Sequence, residues 1–421
     1  MSPAVLVLII TAIAIILFVT EKIPVNLTIM LVMISLVVTK LVKPAEAVSG
    51  FASTTILMLI GVVIVGSALF ETGVSDRIAE VVTKYAKTER IMITSILILS
   101  SFMSSFLSNS GTIAVFIPII IGICQSTNFS RSKLLMATFL GAMAGGRLTI
   151  VGDAAINVLI GNQIQELGYP FGFFEITKIG LPLTIIMVLY IYFIGYKFLP
   201  NVPILEKEGD VFSSMKRIYD KKKQIISVVI LIVVVIGMIF EKQTGIPSYM
   251  VAIIGAVLTA VFGIFKEKQI YQLVDIKTII LLGGMRPLAL ALDSTGASQI
   301  IANQLINIIG NSTNIYYITI IIFLLTTVMT QFMSNVVTVT LLMPIIIAIA
   351  NTINVVPSAL IMILCIGSTM SILTPIACPP ANLIYSYGGY KFSDYFKSNW
   401  LLSVIFLIAC VILIPIIWSI F

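Results

Sequence analysis

Two short polar stretches interrupt an otherwise oily chain, and they hold the groups that could do chemistry. Residues 106–121 read FLSNSGTIAVFIPIII, and residues 332–347 read FMSNVVTVTLLMPIII. In both, a Ser-Asn pair (Ser108-Asn109, Ser334-Asn335) is followed by a Thr three residues after the Asn (Thr112, Thr338) and by Pro-Ile-Ile-Ile nine residues after it. Inside hydrocarbon every backbone N–H and C=O must be paired, so a Ser-Asn-Ser-Gly turn cannot face lipid. It survives where it is buried in protein or lines a wet cavity. Free N–H groups at helix starts then suit an anion, and unwound carbonyls suit a small cation. Two further breaks match in depth: GAMAGGRLTIVGDAAIN, residues 141–157, and GSTMSILTPIACPPAN, residues 367–382. Their glycines and prolines predict unwinding near mid-membrane, so four broken helix ends can converge on one ligand.

The elements that must position these breaks are membrane helices. The chain has 421 residues, 59% of them hydrophobic and 10% charged, with mean hydropathy +1.13. That composition predicts an all-α polytopic membrane protein, since ~20 apolar residues cross a bilayer as a helix. Ten stretches qualify: 3–20, 24–42, 52–70, 132–163, 176–199, 224–240, 247–265, 276–293, 356–388 and 398–421. Two more, 91–125 and 315–351, are broken at the Ser-Asn sites and suit re-entrant hairpins with tips at 108–111 and 334–337. The first apolar run has neither a basic leader nor a small-residue cleavage site, so no cleaved signal peptide is expected. Segments 74–88 and 297–310 read as amphipathic interfacial helices.

The chain also repeats itself. Residues 1–200 form a first repeat, 201–223 a polar linker and 224–421 a second repeat. Glu21-Lys22 recurs as Glu241-Lys242, Thr72-Gly73 as Thr295-Gly296, Pro118 as Pro344, Thr149 as Thr374 and Asn157 as Asn382, at offsets of 220 to 226. Five spans per half make the halves inverted-topology repeats, the plan of secondary transporters. With the linker placed in the cytoplasm, eighteen Lys and Arg fall on the inner side and four on the outer. The positive-inside rule then puts both termini outside an inner (cell) membrane. The formal charge of +7 reports this topology and not nucleic-acid binding.

SNSGTIAVFIPI and SNVVTVTLLMPI resemble the paired Ser-Asn-Thr hairpin motifs of the divalent anion/sodium symporter family, and the 373–400 segment resembles its late broken helix. The resemblance implies sodium-coupled symport of a dicarboxylate, citrate or sulfate by a homodimer whose transport domains move like elevators. It implies no cofactor besides coupling sodium ions. Carried over residue by residue, sodium ligands would come from Ser104, Ser108, Asn109, Gly152 and Asp153 in one half. Thr330, Ser334, Asn335 and Ala377 would supply them in the other. The anion would be bordered by Asn109, Ser110, Thr112, Asn335, Val336, Thr338, Pro379 and Asn382. Val336 stands where the family pattern has Thr, and it cannot donate a hydrogen bond. The wider superfamily adds efflux of arsenite or another oxyanion and sodium/proton antiport as alternative activities.

Three charges fall within spans or breaks: Arg147, Asp153 and Arg286. Each costs ~2.5–3.5 kcal/mol at the bilayer centre and so needs a partner or water. Asp153 could ligate sodium, carry a proton or pair with Arg147. Arg286 could attract an anion or hold the scaffold. The four cysteines have no CxxC spacing and read as small core residues. Histidine is absent, which removes His metal sites, bases and proton relays. No intramembrane nucleophile–base pair or metal set supports an enzyme, and a channel has no need of two matched ion sites.

Overall fold

The computed structural model describes the chain apart from residues 1, 21, 75–87, 203–219, 275, 310–313 and 419–421. Most of the polar linker and most of segment 74–88 therefore lie outside the described residues. In the first half the helices are α1 (Pro3–Thr20), α2 (Val25–Val38), α3 (Pro44–Ser49), α4 (Thr54–Glu71), α5 (Glu89–Ser104), α6 (Asn109–Ser126), α7 (Arg131–Gly145), α8 (Ala154–Glu166) and α9 (Thr177–Phe193). The second half continues with α10 (Lys221–Ile239), α11 (Glu241–Thr244), α12 (Ser248–Val261), α13 (Glu267–Leu273), α14 (Ile276–Ser294) and α15 (Ala297–Ile309). It ends with α16 (Ile315–Met329), α17 (Asn335–Thr352), α18 (Pro357–Ser368), α19 (Pro379–Gly388) and α20 (Phe392–Ile417). Every regular element among the described residues is helical.

Among the described residues, four helical stretches are long and apolar enough to cross a bilayer alone: Pro44–Leu69, Lys221–Ile239, Asn335–Thr352 and Phe392–Ile417. Seven further apolar helices are shorter. The outer surface is oily. Ile225, Val229, Ile232 and Ile236 are exposed on α10, and Ile408, Ile412 and Ile416 on α20. A one-sided apolar face on a long helix suits lipid outside and protein inside.

Two packing groups emerge, each drawing on both halves. α4 packs on α12, and its counterpart α14 packs on α2. α5 and α6 pack on α7, and their counterparts α16 and α17 pack on α18. α9 packs on α5 and α20, and α20 packs on α16. The innermost pieces are α7 and α18: all twelve residues of α18 are buried, as are Leu134 to Gly145 of α7. Protein surrounds these two half-helices on every side.

The breaks fall where the sequence placed them, with one shift. The non-helical tips run over Ser105–Ser108 and Thr330–Ser334, not over 108–111 and 334–337. Ser108 caps α6 by accepting the Gly111 N–H at 3.1 Å, and Ser334 caps α17 by accepting the Val337 N–H at 3.3 Å. The polar residues expected to form the turn instead start the next helix, because a Ser N-cap satisfies a free helix-start donor. α15 lies within the expected 297–310 amphipathic segment and packs on α14 and α17.

Candidate functional site

Four helices begin at one place. Asn109, Ser110 and Gly111 open α6; Asn335 and Val336 open α17; Ala154 and Ala155 open α8; Pro379 and Pro380 open α19. All nine line a single cavity of about 770 Å³. α2, α4 and α14 form its other wall, with Pro24, Asn26, Leu59, Val63, Ser67 and Ile279 on the lining. Each helix start carries partial positive charge and unpaired N–H groups, so the convergence favours an anion. The α19 start contributes less, because Pro379 and Pro380 have no N–H.

Beneath each hairpin tip lies a hydroxyl–amide pair. The Ser104 hydroxyl donates to Asn109 Oδ1 at 2.7 Å. The Thr330 hydroxyl stands 2.7 Å from Asn335 Oδ1 and 2.8 Å from the Ser368 carbonyl. Both arrangements gather oxygen atoms, the donor type preferred by hard cations. In the first half the set gains a carboxylate: Asn109 Nδ2 donates to Asp153 Oδ2 at 3.2 Å. Asp153 is half-buried and lines the cavity. Glycine makes this approach possible. A Cβ on Gly152 would meet the Ser104 carbonyl at 2.7 Å, and one on Gly145 would meet the Ser101 carbonyl at 2.1 Å.

The unwound backbone is held by side chains. In the first break Asn157 Nδ2 donates to the Gly146 and Thr149 carbonyls at 2.7 and 2.8 Å. In the second, five successive carbonyls each receive a side-chain donor. Thr330 reaches Ser368, Arg147 Nη2 reaches Thr369 at 2.7 Å and Gln331 Nε2 reaches Met370 at 2.8 Å. Cys378 Sγ reaches Ser371 at 3.3 Å, and Asn399 Nδ2 reaches Ile372 at 2.8 Å. Buried carbonyls must be paired, so the broken backbone keeps its shape through these bonds.

Of the expected site residues, Ser108, Asn109, Ser110, Gly152, Asp153, Ser334, Asn335, Val336 and Pro379 line the cavity. Ser104, Thr330 and Ala377 are buried and stand outside the lining. Three residues expected to border the anion lie outside the lining. Thr112 and Thr338 are fully buried away from the cavity, one turn inside their helices. Asn382 is exposed but outside the lining, one turn into α19. Asp153 does not pair with Arg147: Arg147 is buried, donates to Thr369 and sits over the Phe406 ring at 5.3 Å. Arg286 lines a second, smaller cavity. Sequence reading missed Gln331, in the second hairpin tip, and Asn399, in the polar opening turns of α20. No local pattern singled them out, because their partners at 370–373 are distant in sequence.

Hairpins that enter from both halves, helices broken at matched positions and a lipid-facing apolar surface define a multi-pass membrane transporter. The chain belongs to the citrate transporter family, whose sequence profile matches residues 15–242 and 235–420. Its relatives are transporters, not enzymes. It is 26% identical over 419 residues to an uncharacterized transporter of Haemophilus influenzae, covering 95% of this chain and 88% of that one. It is 23% identical over 450 residues to the sodium-dependent dicarboxylate transporter SdcS of Staphylococcus aureus, covering 96% and 84%. Two solved transporters share the fold at low identity. YdaH of Alcanivorax borkumensis superposes with TM-score 0.64 at 12% identity, over 89% of this chain and 87% of its own. MtrF of Neisseria gonorrhoeae gives 0.60 at 13%, over 99% and 95%.

Proposed function

We propose that this protein is a secondary active transporter that couples sodium to the movement of a small divalent anion, namely a dicarboxylate, citrate or sulfate. The observation that carries the reading is the convergence of four helix starts on one cavity, with a hydroxyl–amide pair beneath each hairpin tip. The relative named as a sodium-dependent dicarboxylate transporter supports the same substrate class. Cations bind first, beneath the tips, through Ser104, Asn109 and Asp153 in one half and Thr330 and Asn335 in the other. They fix the tips and add positive charge. The anion then binds between Asn109-Ser110 and Asn335-Val336, against the helix starts. Without the cation, the Asp153 carboxylate beside the pocket repels it. The group α5–α9 with α16–α20 carries the loaded site past the group containing α2, α4, α12 and α14, as an elevator in a homodimer. In the orientation set by basic residues, the 201–223 linker is cytoplasmic and both termini are outside an inner membrane.

The test is thermal stabilisation of the purified protein by citrate, succinate, sulfate and arsenite, each in sodium and in choline. Stabilisation by a dicarboxylate, citrate or sulfate that requires sodium is expected. Sodium-independent stabilisation by arsenite, with none by the other anions, would overturn the reading in favour of oxyanion efflux. Sodium/proton exchange by the same Asp153 would appear as sodium-driven proton flux without any anion.

A further inference from the structure

A second cavity, of about 290 Å³, lies toward the opposite end of the fold. The large cavity is lined by the later part of α4 and the first turn of α14; the small one is lined by the residues just before α4, by mid-to-late α14 and by the second half of α8. Thr340 to Ile347 of α17 line it too, but neither hairpin tip does. α4 and α14 are counterparts at an offset of 223, the spacing that relates Thr72-Gly73 to Thr295-Gly296. At that offset Val63 corresponds to Arg286 and Ser67 to Leu290. Val63 and Ser67 line the large cavity, and Arg286 and Leu290 line the small one. The repeat has therefore built the same wall twice and placed a guanidinium in only one copy.

Arg286 is exposed and makes no hydrogen bond or ion pair with a described residue. Its backbone is fixed by close packing. A Cβ on Gly50 would stand 2.2 Å from the Gly283 carbonyl and 3.1 Å from Arg286 Cβ, so the corner before α4 presses on the base of the side chain. The guanidinium is left to project into the cavity. Two carboxylates share the lining, Asp293 and Glu166. Asp293 is two helical turns farther along α14, ~10 Å away, and neither carboxylate forms an ion pair with Arg286. An unpaired charge within a segment read from the sequence as a span marks an ion path. The attraction for an anion is local to Arg286, because Asp293 and Glu166 bring the opposite sign to the rest of the lining.

We propose that Arg286 makes the small cavity an anion-collecting vestibule for the transport site, and that Val63 leaves the other end of the path without one. The two ends of the pathway then differ in how they admit a small anion. This rests on the reading of the chain as an anion transporter, but its electrostatic part is tested without any transport. Leu290→Cys and Ser67→Cys are reacted with an anionic (sulfonatoethyl) and a cationic (trimethylammonioethyl) methanethiosulfonate, against the parent with its native thiols. At position 290 the anionic-to-cationic rate ratio should fall on the order of 10-fold when Arg286→Gln is added. It should stay within about twofold with Arg286→Lys, and at position 67 with either change. In proteoliposomes, Arg286→Gln should raise the KM for citrate or succinate several-fold from the side on which position 290 labels, and not from the other. An unchanged labelling ratio overturns the vestibule. So does a changed ratio with KM unaltered on both sides. If no anion is transported by the wild type, the proposed function fails, and the labelling ratio alone decides whether the cavity concentrates anions.

Discussion

The two breaks share a backbone plan and differ in chemistry. Asp153 at the end of the first corresponds to Cys378 at the end of the second, at the offset of 225 that relates Thr149 to Thr374. The Thr149 hydroxyl donates to the Ser105 carbonyl, and the Thr374 hydroxyl donates to the Gln331 carbonyl at 3.2 Å; this bond is conserved between the halves. What surrounds it is not. The first break carries a carboxylate bonded to Asn109. The second carries a thiol and has five carbonyls held by side-chain donors. The difference teaches that two matched crevices can diverge in chemistry: one ends in a carboxylate, and the other is held by bonds from neutral side chains and Arg147.

Breaking that asymmetry should have its largest effect at the carboxylate. Asp153→Asn keeps the shape and removes the charge, so sodium-driven uptake should fall on the order of 100-fold, as read by initial rates in proteoliposomes. Cys378→Ser in the mirror position should leave the rate within about threefold. The next effect is steric. Gly145→Ala drives a methyl toward the Ser101 carbonyl at 2.1 Å and should cost ~1–3 kcal/mol, seen as a lower melting temperature in detergent. Its counterpart Met370 already carries a full side chain; in the second half the close approach falls instead at Gly367, where a Cβ would stand 2.9 Å from Thr326 Cβ.

Gln331 sharpens the comparison from the other side. Its amide donates to Thr327 and Met370 and accepts from the Leu373 N–H. Gln331→Ala leaves those groups unpaired, which should cost ~1–3 kcal/mol. Ser105→Ala, at the corresponding place, removes only bonds to its own helix and should change stability by less than ~0.5 kcal/mol. Among the site variants, the smallest effects belong to the hydroxyls that both halves share. Ser104→Ala and Thr330→Val should each cost ~1 kcal/mol of cation binding, about fivefold in the sodium concentration for half-maximal uptake.

The hairpins were legible because Ser-Asn stands out against lipid-compatible sequence and recurs in register. Their tips were misplaced by about one turn because a Ser that caps a helix and a Ser that forms a turn look alike in sequence. Ser104 and Asn109, offered as cation ligands by the family resemblance, are five residues apart in sequence and are brought into contact by the hairpin. The Arg147 bond to Thr369 was not, because it joins residues 222 apart and no local periodicity encodes it. Thr112 and Thr338 share the motif, but helical geometry turns them to the core. Motif membership alone does not place a side chain at a ligand.

The central claim is that the first break, through Asp153, is where the coupling cation is held most tightly. Equilibrium binding of radioactive sodium to the purified wild type, Asp153→Asn and Cys378→Ser tests it most directly. The account predicts that Asp153→Asn loses high-affinity binding while Cys378→Ser keeps it. Equal affinity in all three proteins, or loss only in Cys378→Ser, would contradict it.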